Sequence, residues 1–125
     1  MNTLLVAAGG AVGAALRYLL GGLMQSRLGP DFPWGTFIVN VSGCLLIGAV
    51  LGLVERGALP SEARLFLAVG VLGGYTTFST FGYETLRLIE NGDAIPALLN
   101  AFGQLALGLV AVYLGLAAAR ALVGA

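Results

Sequence analysis

Residues Gly70 to Glu84 read GVLGGYTTFSTFGYE, and this stretch decides what kind of fold the chain adopts. It overlaps an apolar run from Leu65 to about Tyr83, close to the ~20 residues needed to cross a ~30 Å hydrocarbon core. Yet the adjacent Gly73 and Gly74 are soon followed by Thr76, Thr77, Ser79 and Thr80, four hydroxyls in five positions. Glycine is a weak helix former, and serine and threonine compete for backbone hydrogen bonds. The composition therefore predicts a break within the span. The blander alternative is that the hydroxyls bond one turn back and only bend the helix. Broken backbone at membrane depth survives only when buried in protein or lining a cavity. It also frees carbonyls, which coordinate hard cations.

Three further apolar stretches flank this one: Thr3 to Met24, Trp34 to Val54, and Ile95 to Val123. The expectation is an all-α membrane protein with four transmembrane helices, about 3–24, 34–54, 65–83 and 95–123, the third broken, in one domain over residues 1–125. Composition agrees. The chain is 58% hydrophobic and 10% charged, against about 25% charged in soluble domains. The connectors QSRLGPDFP (Gln25 to Pro33), ERGALPSEAR (Glu55 to Arg64) and Glu84 to Pro96 hold most of the charge and all the proline. They are too short for a further domain. Trp34 and Tyr83 fall near span ends, where amphipathic rings favour the interface. The N-terminal stretch starts MNT without a basic residue and contains Arg17, so it reads as a retained helix.

Orientation is nearly undetermined by charge. Four spans put both termini on one side with Arg56, Arg64 and Arg120; the other side has Arg27 and Arg87. The positive-inside rule thus gives almost no bias. Either Arg17 or the one-residue difference decides, or copies insert both ways and pair about a two-fold axis in the membrane plane.

Several functions are excluded by what is missing. Six arginines balance six acids, and lysine and histidine are absent, so no basic face exists for nucleic acid. The single Cys44 builds neither a disulfide framework nor a zinc site and reads as a small buried hydrophobe. No carboxylate is expected in mid-span, Glu84 falling at the end of the third, so a proton-coupled carrier lacks its relay. No general base accompanies the hydroxyls, so the chain is not read as an enzyme.

What remains is neutral polar chemistry and one arginine. Phe78 and Phe81, three apart, share a helical face, and ring edges are electropositive; packing or lipid contact is the ordinary role of such a pair. Asn40, with Thr36 one turn before it, offers amide N–H groups to an anion or to a neighbouring helix. Asn100 and Gln104, with Gly108 beyond, form a polar stripe that is either helix–helix glue or a pore wall. Arg17 within the first span costs roughly 2.5–3.5 kcal/mol at a helix centre unless it snorkels or faces an aqueous vestibule.

Three motifs resemble those of the CrcB/Fluc fluoride channels. GGAVGAALRY (Gly9 to Tyr18) is similar to the family's GGxxGAxxRY. PWGTFIVNVSGCLLIG (Pro33 to Gly48) is similar to its P-x-G-T-x-x-V-N-x-x-G-x-x-x-x-G, and GVLGGYTTFSTFGYE to its G-x-x-G-G-x-T-T-F-S-T-F-x-x-E. The resemblance covers three spans in order. It implies a fluoride-selective channel in the cell (inner) membrane that lowers cytoplasmic fluoride passively, as an antiparallel homodimer with two pores. It also implies a structural, untransported sodium ion at the dimer centre, held by carbonyls of Gly73 and Thr76. Asn40 would donate to fluoride, Phe78 and Phe81 would line its path, and Thr77, Ser79 and Thr80 would supply hydroxyls or support the break. Arg17 would serve the vestibule or the assembly. Many relatives have tyrosine and serine where Asn100 and Gln104 align, so this chain departs there, with Gln104 standing in as a donor. The physics fits: a selective path replaces fluoride's water with close neutral donors, while fixed positive charge would hold it too tightly. The alternative function is a small four-helix multidrug-type exporter; a third is a membrane subunit without transport of its own.

Overall fold

The structure, a computed structural model, describes residues 1–124. Its helices are α1 (Asn2–Leu28), α2 (Trp34–Glu55), α3 (residues 61–75), α4 (Phe78–Glu90) and α5 (Ala94–Leu122). No strand occurs among the described residues. Four helical segments are long and apolar enough to cross a membrane: α1, α2, the α3–α4 pair over Ser61–Glu90, and α5. A multi-pass membrane protein is the reading these segments support.

The helices begin where proline permits. Pro33 and Pro60 precede the first residues of α2 and α3, in keeping with proline's poor fit beyond a first helical turn. α1 ends at Gly29, whose φ of 101° lies in the region open chiefly to glycine. The side chain of Gln25 then closes the α1–α2 loop: its Nε2 donates to the carbonyls of Gly29 (2.7 Å) and Phe32 (2.8 Å), and its Oε1 accepts from Gly35 N–H (3.0 Å).

Helices run further than the apolar stretches. α1 continues to Leu28 through Gln25, Ser26 and Arg27, and α4 continues to Glu90. The polar residues Arg87 and Glu90 stay helical because, three apart, they share a solvent-facing side and pair at 3.5 Å. Glu84, just past the apolar run, is therefore held within α4 rather than in a connector.

Packing is backbone-close. α2 lies along α5, and at Gly115 a β-carbon would collide with the Leu45 carbonyl. α1 lies along α3 in the same way, the small-residue contact that lets membrane helices associate without a hydrophobic driving force. The α2 and α5 C-termini meet through Arg120 and Glu55 (3.0 Å). Val39, Leu72 and Tyr75 form the buried apolar centre beside the break, and the outer surface is covered by exposed apolar side chains such as Leu19, Leu105 and Tyr113.

The third span is broken, as its composition predicted. Thr76 (φ −85°, ψ 157°) and Thr77 (φ −147°, ψ 120°) are extended between α3 and α4. α3 itself is π-wound over Arg64–Leu72 and returns to α-helix for Gly73–Tyr75. Long π-winding is rare, and short π segments mark functional sites.

Candidate functional site

Two extended residues displace the hydrogen bonds that a continuous helix would make, and side chains take them up. The Thr77 N–H, which would donate to the Gly73 carbonyl, donates instead to Asn40 Oδ1 at 2.8 Å. Asn40 Nδ2 in turn donates to the Thr77 carbonyl at 2.9 Å, so this side-chain amide pairs with one residue's backbone much as a neighbouring strand would. The Thr80 N–H, which would donate to the Thr76 carbonyl, donates to Thr77 Oγ1 at 3.2 Å; Thr77 thereby caps α4. Thr76 turns back onto α3, its N–H and hydroxyl both donating to the Leu72 carbonyl at 3.1 and 3.0 Å. Arg17 Nε donates to the Gly74 carbonyl at 3.2 Å, a cation at the negative end of the interrupted helix. Tyr75, buried, shares a 2.9 Å hydrogen bond with Ser42.

From Asn40 the hydrogen bonds continue through α5. Asn40 Nδ2 donates to Gln104 Oε1 (2.7 Å), and Gln104 Nε2 donates to Asn100 Oδ1 (2.9 Å). Asn100 Nδ2 donates to Thr85 Oγ1 (2.9 Å), whose hydroxyl donates to the Phe81 carbonyl (2.8 Å). Asn100 is fully buried, and Gln104 nearly so.

Two cavities flank this network. The larger, about 370 Å³, is walled by Asn40, Thr77 and Gln104 on the polar side and by Phe78, Phe81 and Leu105 on the apolar side. Gly43, Cys44, Ile47, Leu72, Gly73 and Thr76 complete it, and no charged residue reaches it. The Phe78 and Phe81 rings lie 5.7 Å apart, inclined by 42°. Phe78 is 83% exposed, so this cavity opens on the outer face of the chain. The second cavity, about 270 Å³, brings together Arg17, Glu84, Thr77, Thr80, Thr36 and Gln25. One oxygen of Glu84, Oε1, is buried without a hydrogen-bond partner.

Most residues singled out in the sequence converge here. Asn40, Thr77, Phe78, Phe81, Gln104, Gly73 and Thr76 all line the larger cavity; Arg17, Thr77 and Thr80 line the second. Ser79 is exposed beside the break and shares a 3.4 Å contact with Thr77 Oγ1. Asn100, fully buried, lies behind the wall, where it supports Gln104. Both N–H groups of Asn40 are already engaged. Sequence reasoning missed Thr85, Glu84 and the wall position of Cys44. Thr85 stands four residues after Phe81, and that helical spacing was the available signal.

Chemically, the larger cavity is mostly apolar, with neutral amide, hydroxyl and ring groups on its wall and no fixed charge. A family model described as CrcB-like protein, Camphor Resistance (CrcB) matches residues 4–116. A Thermus thermophilus protein named Fluoride-specific ion channel FluC is 59% identical over 121 residues, covering 97% of both chains. Proteins of the same name from Rhizobium meliloti and Geobacter sulfurreducens are each 49% identical over 124 residues, covering 98% of this chain and 98% and 100% of theirs.

Proposed function

The chain belongs to the CrcB-like protein family, and on that premise we propose that it is a fluoride channel through which fluoride leaves the cytoplasm down its own gradient. It is a channel and not an enzyme. The observation that carries the reading is the larger cavity: neutral amide, hydroxyl and ring groups gathered around a helix break, with no charged side chain among them. Fluoride gives up its water only where close donors replace it, and it leaves again only if no full charge holds it.

The finer assembly is part of the same proposal. Two copies pair antiparallel in the cell membrane. Near-balanced arginines on the two sides permit insertion both ways, and the open, Phe78-bearing side of the cavity is closed by the second copy. Lipid covers the remaining apolar surface. A structural sodium ion lies on the two-fold axis, held by the Gly73 and Thr76 carbonyls. These two carbonyls fit such an ion, because the N–H groups that would take them in a continuous helix are diverted to Asn40 and Thr77 side chains. The ion would supply a fixed tie between subunits; oxygen ligands suit a hard cation.

One observation favours a second reading. One oxygen of Glu84, a carboxylate beside the third span, is buried without a partner, and ionisable groups within membrane helices serve proton relays. A proton-coupled exporter is therefore the alternative. Purified protein in liposomes separates the two. A channel passes fluoride under a voltage gradient alone, excludes chloride, and ignores an imposed pH gradient. Uphill fluoride movement driven by that pH gradient refutes passive conduction, and no fluoride flux from the lone chain refutes both.

A further inference from the structure

Three consecutive residues of the broken span, Tyr75, Thr76 and Thr77, rest on one turn of α2, Asn40 to Gly43, and each is held differently. Thr77 pairs its backbone with the Asn40 amide. Thr76 lays its methyl over Gly43, where an added β-carbon would strike it. Tyr75, the last residue of α3, reaches the same turn with its phenol, whose oxygen lies 2.9 Å from Ser42 Oγ. The sense of that bond follows from proton count. Ser42 has one hydroxyl proton and donates it to the Val39 carbonyl at 3.1 Å. Tyr75 is therefore the donor, and Ser42 the acceptor.

This contact belongs to the chain and not to its motifs. Tyr75 and Ser42 both fall at unspecified positions of the patterns quoted above. Tyr75 is 6% exposed and packs with Val39 and Leu72, surroundings that suit a plain apolar ring. A buried hydroxyl costs free energy unless it is hydrogen-bonded, and Ser42 meets that need.

Its place in the chain says what the contact does. Gly73 and Thr76, whose carbonyls have lost their helical donors, bracket Tyr75. The Asn40–Thr77 pairing acts beyond them, where α4 starts toward Phe78 and Phe81. α2 thus grips the break twice, once at the carbonyl end of α3 and once at the start of α4.

We propose that Tyr75, acting through Ser42, is the positioning residue for the Gly73 and Thr76 carbonyls, fixing their spacing for a small cation while touching no ion itself. This rests on the sodium site proposed above. It divides the labour of α2: Ser42 holds the cation side of the break, and Asn40 holds the anion wall.

The test follows thermal unfolding of the purified full chain in lipid nanodiscs across a sodium titration, with N-methylglucamine keeping ionic strength constant. It yields a sodium midpoint without any flux measurement. Tyr75→Phe keeps the ring and removes the hydroxyl, leaving Ser42 on Val39. Its midpoint is expected to rise roughly three- to tenfold, the change that loss of one hydrogen bond brings. Ser42→Ala moves the midpoint the same way, and Ser42→Thr keeps it at the wild-type value. The two changes together move it no further than the larger single change, because both remove the same bond. In liposome efflux at saturating sodium, the half-saturating fluoride concentration of Tyr75→Phe stays at the wild-type value. A bond that serves only the core lowers the melting temperature equally at every sodium concentration. That parallel drop, with an unmoved midpoint, overturns the assignment and leaves the sodium site standing. A shifted fluoride half-saturation at saturating sodium overturns it too, since the contact would then act on the anion wall. Wild-type unfolding that ignores sodium removes the sodium site itself, and this assignment with it.

Discussion

Replacing Asn40 by leucine removes three hydrogen bonds at once, those to the Thr77 N–H (2.8 Å), the Thr77 carbonyl (2.9 Å) and Gln104 Oε1 (2.7 Å), while keeping nearly the same side-chain size. The lower bound on the cost comes from membrane hydrogen bonds measured at about 0.6 kcal/mol each, so three give about 2 kcal/mol. The Thr77 N–H raises it. Its helical acceptor, the Gly73 carbonyl, is out of register, and a buried donor left unmade costs about 1–3 kcal/mol. The expected loss is about 2–5 kcal/mol. Asn40→Asp is the contrasting variant. It keeps an acceptor for the Thr77 N–H but turns oxygen toward the Thr77 carbonyl and Gln104, and it adds negative charge to the cavity wall. Equilibrium unfolding in mixed micelles reads the stability, and liposome efflux reads the flux. Leucine is expected to lower stability by the stated amount, whereas aspartate abolishes fluoride flux with a smaller loss of stability. A leucine variant within about 0.5 kcal/mol of wild type would show that the break stands without Asn40, and the hydrogen-bond account of the site would be refuted.

Three further outcomes are expected. Phe81→Ile keeps apolar bulk but loses the ring edge, so fluoride flux falls while the assembly seen by size-exclusion chromatography stays intact; unchanged flux counts against the ring. Gly43→Ala sets a β-carbon against the Thr76 methyl and the Tyr75 ring, side chains held in place by hydrogen bonds to the Leu72 carbonyl and Ser42, so it costs on the order of 1–3 kcal/mol of overpacking and lowers flux, measured by the same unfolding and efflux assays. Exchanging sodium for a large organic cation is expected to destabilise or silence the protein, because the site proposed at the Gly73 and Thr76 carbonyls takes a small ion; full activity without sodium would remove the central ion.

The number of spans and the place of the break were legible because each depends on local composition. Four apolar runs and a Gly-Gly pair followed by hydroxyls are one-dimensional signals, and they stand in the structure where they were read. The partners of the broken backbone were not legible. That the Thr77 N–H meets Asn40 depends on how α2 docks against α4, and that Asn40 meets Gln104 depends on the α2–α5 register, set by backbone contacts such as Gly115 against Leu45. The one-turn spacing of Asn100 and Gln104 revealed a stripe but not its sense. Thr85 was not singled out because the apolar run stops at Tyr83, whereas the helix continues to Glu90. The π-winding of Arg64–Leu72 leaves no trace in a run of mostly apolar residues.

Thr76 and Thr77 connect what would otherwise be separate properties. By staying extended they end α3 and leave the Gly73 and Thr76 carbonyls without helical donors, which is what a cation site requires. The same two residues release the Thr77 N–H that orients Asn40, and through it the hydrogen bonds running to Phe81. The Thr77 hydroxyl then caps α4, the helix that carries Phe78 and Phe81. A shift of this hinge toward helix would therefore re-cover the carbonyls and withdraw the amide together. If the proposed cation and anion sites both form, they are linked through one backbone element, and by reciprocity an ion that stabilises the break also favours the arrangement that meets fluoride. Fluoride affinity is accordingly expected to rise with sodium occupancy of the proposed site. A half-saturating fluoride concentration that stays the same across a sodium titration would show that the two sites are not coupled through this hinge.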